Sequence, residues 1–295
     1  MKNFKVNTSD NVELDCNISG EGIPLVFVHE FGGDQRSWQN QVNYFSRKYQ
    51  CITFNARGYP PSEVPSSVES YSQSRAVEDI IDVLDYLKID AAHFVGHSMG
   101  GFAVLHLLIN YSRRAISASI VGVGYGAEKQ HEDYFRGVST NVAKQFLELG
   151  SEKYSHIYGS AASRIPFQVK DPVGWNKFRH RLGQHSMIGA SNTMLGVQAH
   201  RPSLYDLVTE LSNIETPLFI VIGDEDDHCL QTSLFLKSTV KSSGLLILPK
   251  TGHTVPSEEP GMFNFHLSEF FSLNELSRWP NRDPRSNPME IMKIS

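Results

Sequence analysis

The chain has 295 residues, with 40% hydrophobic and 20% charged side chains, 22 Gly and 14 Pro, a composition that excludes disorder over most of its length. Folding should shrink roughly 48,000 Å² of unfolded surface to roughly 12,500 Å², leaving a core large enough for two units or for one α/β domain with an insertion. A net charge of -5 leaves no basic field for phosphate backbones or anionic lipid, so neither nucleic acid nor membrane is an expected partner.

Lys2 and Lys5 give a positive start, but 7–15 is polar where an export signal needs an apolar stretch. Val12, Leu14, Cys16 and Ile18 alternate with polar residues, as on an edge strand with one wet face. The segments 25–29, 51–54, 93–96 and 116–121 are continuous apolar runs suited to strands covered on both faces. Between them, Val77, Ile80, Ile81, Leu84 and Leu87 recur at helical spacing, and a second helix continues over 102–111. Strands alternating with amphipathic helices predict a mostly parallel sheet with crossover helices.

After Gly126 the rhythm changes, and no strand pattern returns until 217–222. The stretch between is read as helical. It is rich in aromatics, with 9 between Tyr125 and Phe178, 54 residues, against 31 in the whole chain. Such side chains serve either as a small core for inserted helices or as the lining of an apolar pocket under a lid. The alternation then resumes with strands over 218–222 and 245–248 and helices over 230–240 and 259–273. A tail after Arg278, with Pro280, Pro284 and Pro288, is expected to lie extended over the surface. No apolar run approaches the about 20 residues of a membrane span. Cys16, Cys51 and Cys229 are odd in number and scattered, so reduced thiols in a cytoplasm are expected.

Three motifs carry chemistry. Gly96-His97-Ser98-Met99-Gly100-Gly101 fits G-x-S-x-G where a strand runs into a helix. Small residues on either side of the serine permit a sharp turn that lifts Ser98 clear of the sheet, with the Met99 amide at the helix N-terminus aimed at a developing oxyanion. His29-Glu30-Phe31-Gly32-Gly33 follows an earlier strand, and the Phe31 amide is the candidate second oxyanion donor. Gly223-Asp224-Glu225-Asp226-Asp227 ends one late strand, and Thr251-Gly252-His253 follows the next. These supply the orienting anion and the base that a serine nucleophile needs. Asp226 is preferred, with Asp224 and Asp227 as alternatives. The spacing of 226 − 98 = 128 residues leaves room for a lid.

Taken together, the segments 27–33, 55–58, 96–101, 223–226, 252–253 and 258–260 fall in the order of the α/β-hydrolase family, which this chain resembles over nearly its whole length. The resemblance implies a mostly parallel central sheet flanked by helices with a helical cap. It also implies Ser98 as nucleophile, His253 as base and Asp226 as acid, without cofactor or metal. Core segments are expected over 1–124 and 211–295, with the cap over 125–210. The implied function is hydrolysis of a small, partly apolar carboxylic ester through an acyl-enzyme. A lactone or carbon-carbon bond hydrolase of aromatic catabolism is the alternative, and a non-catalytic small-molecule receptor ranks below both. Two departures stand out: Glu30 where the family often has Gly, adding a negative charge expected near the mouth, and Asn55 where it often has Asp.

Other features point elsewhere. Gly122-Val123-Gly124-Tyr125-Gly126-Ala127 matches a dinucleotide fingerprint but lacks the following strand and acid, so it is read as a strand end leading into the lid. None of the 12 histidines forms H-E-x-x-H. His97 is expected to pack rather than to act as a base. Lys170, Lys177, Arg179 and Arg181 form a basic patch, mostly a solvated face, with a role toward a substrate carboxylate as the alternative. Acyl and alcohol preference and oligomeric state are not encoded in any motif.

Overall fold

In a computed structural model of the chain, which describes residues 2–286, the apolar runs lie side by side as one eight-stranded sheet. The strands are β1 (Lys2–Asn7), β2 (Glu13–Ser19), β3 (Ile23–Val28), β4 (Tyr49–Phe54), β5 (Ala92–His97), β6 (Ala115–Val121), β7 (Leu218–Gly223) and β8 (Ser243–Leu248). Their order is β1-β2-β4-β3-β5-β6-β7-β8. The pairings of β1 with β2 and of β2 with β4 are antiparallel, and every other pairing is parallel.

The helices are α1 (Gln39–Phe45), α2 (Gln73–Tyr86), α3 (Met99–Asn110), α4 (Glu132–Tyr158), α5 (Ile165–Lys170), α6 (Pro172–Leu182), α7 (Met187–Thr193), α8 (Val208–Ser212), α9 (Asp227–Thr239), α10 (Val255–Glu258) and α11 (Pro260–Glu275). The sequence period explains their placement. Val26 and Val28 of β3, Phe94 of β5 and Ile220 of β7 face one core with Ile80 and Leu84 of α2, Phe102 of α3 and Leu236 of α9. Their neighbours Leu25, Phe27, Val95 and Val221 face a second core with Phe45 of α1 and Phe263, Leu267 and Phe271 of α11. Because both faces are covered, these strands read as unbroken apolar runs. Among the described residues no strand lies between β6 and β7. That stretch is helical, α4 being interrupted at Gly150 (φ 76°, ψ 156°).

One local expectation needs correction. The alternating segment at 12–18 is not the edge: β1 covers its outer side in the register Phe4 to Cys16 and Val6 to Leu14. The polar start of the chain concealed this strand, in which Val6 is buried while most of its neighbours are exposed. The described start of the tail, 278–286, is coil that runs over the surface and is anchored there by Trp279. Trp279 donates from Nε1 to the Ser242 carbonyl (2.7 Å) and packs edge-on against Phe270. Pro288 and its neighbours lie outside the described residues. Cys16, Cys51 and Cys229 are all free and buried. Among the described residues no helix is long and apolar enough to cross a membrane.

Three buried histidines, His93 and His97 in β5 and His106 in α3, have pKa values lowered by burial from 6.5 to about 4. The unfolded chain therefore binds protons between pH 6.5 and 4 that the folded chain refuses. The stability these neutral rings permit is present above pH 6.5 and is lost as pH falls toward 4. Each contributes on the order of 1–3 kcal/mol to that loss. We expect urea midpoints to drop steadily from pH 6.5 to 4, and a flat midpoint over that interval would show the rings to be protonated in the fold.

Candidate active site

The site lies at the C-terminal ends of the central strands. β5 ends at His97 and α3 begins at Met99, so Ser98 alone makes the turn, at φ 51° and ψ −112°. A non-glycine residue in that region stores about 1–3 kcal/mol of strain. The glycines that flank it have no room for a side chain: a Cβ on Gly96 would lie 2.4 Å from the Gly100 carbonyl oxygen, and one on Gly100 2.2 Å from that of Val28. The Ser98 amide donates to the Val121 carbonyl (2.7 Å), which holds the turn against β6.

Asp226 follows β7 and is fully buried. His253 follows β8 and donates from Nδ1 to Asp226 Oδ2 at 2.7 Å. Of the other two carboxylates, Asp224 accepts the Thr251 amide (3.1 Å), and Asp227 is exposed in the first turn of α9. The local sequence thus gives the three acids three surroundings. Gly122, the first glycine of the dinucleotide-like motif, sits at φ 58°, and a Cβ there would lie 3.1 Å from His253 Nδ1 and 3.3 Å from Asp226 Oδ2. Its bare backbone makes room for the His253–Asp226 pair.

The His253 loop is braced from several sides. Its amide donates to the Ser163 carbonyl (2.8 Å), and its carbonyl accepts from His97 Nε2 (2.7 Å). His97 is therefore a support, as its expected packing role implies. Glu258 accepts the amides of Gly252 (3.0 Å) and Thr254 (3.1 Å), and so clamps both sides of His253.

After β3, the Glu30 carbonyl accepts from His29 Nδ1 (2.7 Å) and from the Gly33 amide (3.1 Å). His29 Nε2 in turn accepts the Ala56 amide (3.0 Å). These contacts fix the peptide plane that carries the Phe31 amide, while Tyr59 Oη donates to the Phe31 carbonyl (3.0 Å). Burial lowers the His29 pKa, consistent with a neutral ring that donates on one side and accepts on the other. Asn55 fills a structural place, accepting the Gln35 amide (2.9 Å) and donating to the Pro60 carbonyl (2.8 Å).

Glu30 is the departure that the structure explains. Its carboxylate is not at the mouth but buried, in a two-pronged pair with Arg164, whose Nη1 lies 3.2 Å from Oε1 and whose Nη2 contacts Oε2. The same carboxylate stands 3.8 Å from His97 Nδ1 and 4.0 Å from His253 Nε2. Burial is the largest influence and opposes its ionisation, but the charge and hydrogen bonding of Arg164, with the nearby His97 and His253 imidazoles, together outweigh it and hold the carboxyl well below its usual range. Arg164 is also stacked on Phe178, with 4.5 Å to the ring centre. Sequence reading missed Arg164. The signal that could have found it is Glu30 itself, an acid in a buried loop that needs a cation.

A cavity of about 380 Å³ opens beside Ser98 and His253. Its walls include Tyr125, Phe135, Val142, Tyr154 and Tyr158, whereas Phe146, Phe167 and Phe178 pack into a third core with Phe31 and Met99. The aromatic-rich stretch thus supplies both a core and a lining. The basic patch does not converge on this cavity. Lys170 pairs with Glu259 (2.5 Å), Arg179 meets His156 (2.7 Å) and Arg181 donates to the Arg36 carbonyl (2.9 Å). Lys177 and Arg181 border a separate cavity of about 250 Å³ that Ser98 does not line.

Comparisons with known proteins bear on the fold and the family. A Bacillus subtilis protein carrying the provisional name of a 2-succinyl-6-hydroxy-2,4-cyclohexadiene-1-carboxylate synthase is 25% identical over 280 residues, covering 92% of this chain and 99% of its own length. 3-Oxoadipate enol-lactonase 2 of Acinetobacter baylyi is 27% identical over 263 residues, covering 87% and 92%. A thermophilic esterase from Thermogutta terrifontis superposes with a TM-score of 0.82 at 20% identity, covering 93% of this chain and 99% of that one. The family model described as the alpha/beta hydrolase fold matches residues 23–260, and this chain belongs to that family.

Proposed function

We propose that this hydrolase-family protein cleaves a carboxylic ester of a small, partly apolar substrate. Ser98 is the nucleophile, His253 the base, and Asp226 the anion that orients the imidazole. The amides of Phe31 and Met99 hold the oxyanion. Ser98 Oγ attacks the acyl carbon as His253 Nε2 takes its proton. The tetrahedral intermediate collapses as His253 returns that proton to the departing alcohol, leaving an acyl-enzyme. Water then attacks the acyl carbon, again giving its proton to His253. The acid leaves, and Ser98 recovers its hydrogen. Within the described residues, 2–124 and 211–286 form the core that presents these groups, and 125–210 is the cap that dries the cavity.

The observation that carries this reading is the 2.7 Å contact of His253 Nδ1 with buried Asp226, at the edge of a cavity that Ser98 shares. It supports the assignment of Asp226 over Asp224 and Asp227. A lactone is the second reading, favoured by the enol-lactonase relative, since a cyclic ester uses the same groups. The test is turnover of p-nitrophenyl esters of increasing acyl length beside a series of simple lactones. Turnover of linear esters supports the first reading, lactones alone support the second, and neither by a folded protein contradicts both.

A further inference from the structure

We propose that Arg201 is a subsite for a carboxylate on the substrate, set in the wall of the cavity that holds Ser98 and His253. The inference rests on the ester-cleaving reading of that cavity and names the class of ester it takes.

Arg201 follows the π-helical turn Met194–Gln198, and both Gln198 and Arg201 line the cavity. Its side chain is buried, yet Nε and Nη1 have no hydrogen-bond partner. Nη2 donates to the Tyr125 carbonyl, and the guanidinium carbon lies over Phe102, 3.6 Å from the ring centre. Among the described residues no carboxylate pairs with it. Burial pushes its pKa down to about 9, so it remains a cation at neutral pH. Buried charges are ordinarily paired, and one left alone with two unsatisfied donors is costly.

Arg164 makes the contrast within the same cavity, because Glu30 already satisfies it. Arg201 is instead held in place by a carbonyl and a ring, neither of which neutralises it. The unpaired Nε and Nη1 leave donors, and an unneutralised charge, for a carboxylate oxygen to meet. The apolar walls would take the body of the acyl or alcohol group, and Arg201 its charged end.

The test compares wild type, Arg201→Met and Arg201→Lys on matched esters. The acyl series sets p-nitrophenyl half-esters of succinic, glutaric and adipic acid against p-nitrophenyl butyrate, valerate and hexanoate. The alcohol series sets 4-acetoxybenzoate against its methyl ester. In one of the two series we expect wild type to prefer the charged ester. The ratio of charged to neutral kcat/KM should fall about 10- to 100-fold in Arg201→Met and partly recover in Arg201→Lys. Equal ratios in wild type and a folded Arg201→Met variant, in both series, overturn the proposal. Should wild type turn over no ester at all, the ester reading fails separately. Arg201 is then judged by melting temperature with added glutarate or 4-hydroxybenzoate. A rise seen in wild type and lost in Arg201→Met upholds the subsite, and no rise with either anion overturns it.

Discussion

Replacing Ser98 with alanine is expected to reduce ester turnover by a factor on the order of 10³–10⁶, with little change in melting temperature. The attacking oxygen is lost, while His253, Asp226 and the two oxyanion amides remain, so only binding and electrostatic assistance to water survive. Stability hardly moves because alanine inherits the same left-handed backbone, φ 51°. Ser98→Gly separates the two effects. Glycine relieves the strain and should stabilise the fold by roughly 1 kcal/mol while being equally inactive. Rates measured on both variants, with melting curves alongside, check this. A Ser98→Ala protein retaining a tenth or more of wild-type turnover contradicts the role of Ser98.

Removing Arg164 should have the largest effect on stability. In Arg164→Met the Glu30 carboxylate, 2% exposed, loses the cation that neutralises it. Breaking one side of a buried pair costs about 3–5 kcal/mol, whereas replacing both sides is far milder. The single variant should therefore unfold at markedly lower urea, and Glu30→Gln combined with Arg164→Met should recover most of the loss. The Glu30 carboxyl, freed of the guanidinium, is pushed upward in pKa by burial, so the stability gap between wild type and the single variant should narrow on mild acidification. A single variant as stable as wild type, or a double variant no better than the single, contradicts this coupling.

The legibility of the sequence followed its periodicities. Continuous apolar runs marked the strands packed on both faces, and glycine-flanked Ser98 marked the elbow, because each pattern has one cheap structural solution. The β1 strand escaped because Lys2, Asn3, Lys5 and Asn7 mask a pair of inward residues, Phe4 and Val6, too few to set a period. Choosing among Asp224, Asp226 and Asp227 required their surroundings: one meets a backbone amide, one His253 and one solvent. The Glu30–Arg164 pair joins positions 134 residues apart, a distance that no local pattern spans. Arg201 stayed hidden for the same reason, since its isolation is a property of the cavity and not of its neighbours in the chain.

Ser98 is proposed to carry the acyl group during turnover. The most direct test is acid quenching of the protein during hydrolysis of a p-nitrophenyl ester, followed by intact mass measurement and mapping of the modified peptide. The expected result is a mass increase equal to one acyl group less a hydrogen, located on Ser98 and absent from Ser98→Ala. Turnover with no adduct on Ser98 under single-turnover conditions, or an adduct on another residue that survives in Ser98→Ala, would contradict it.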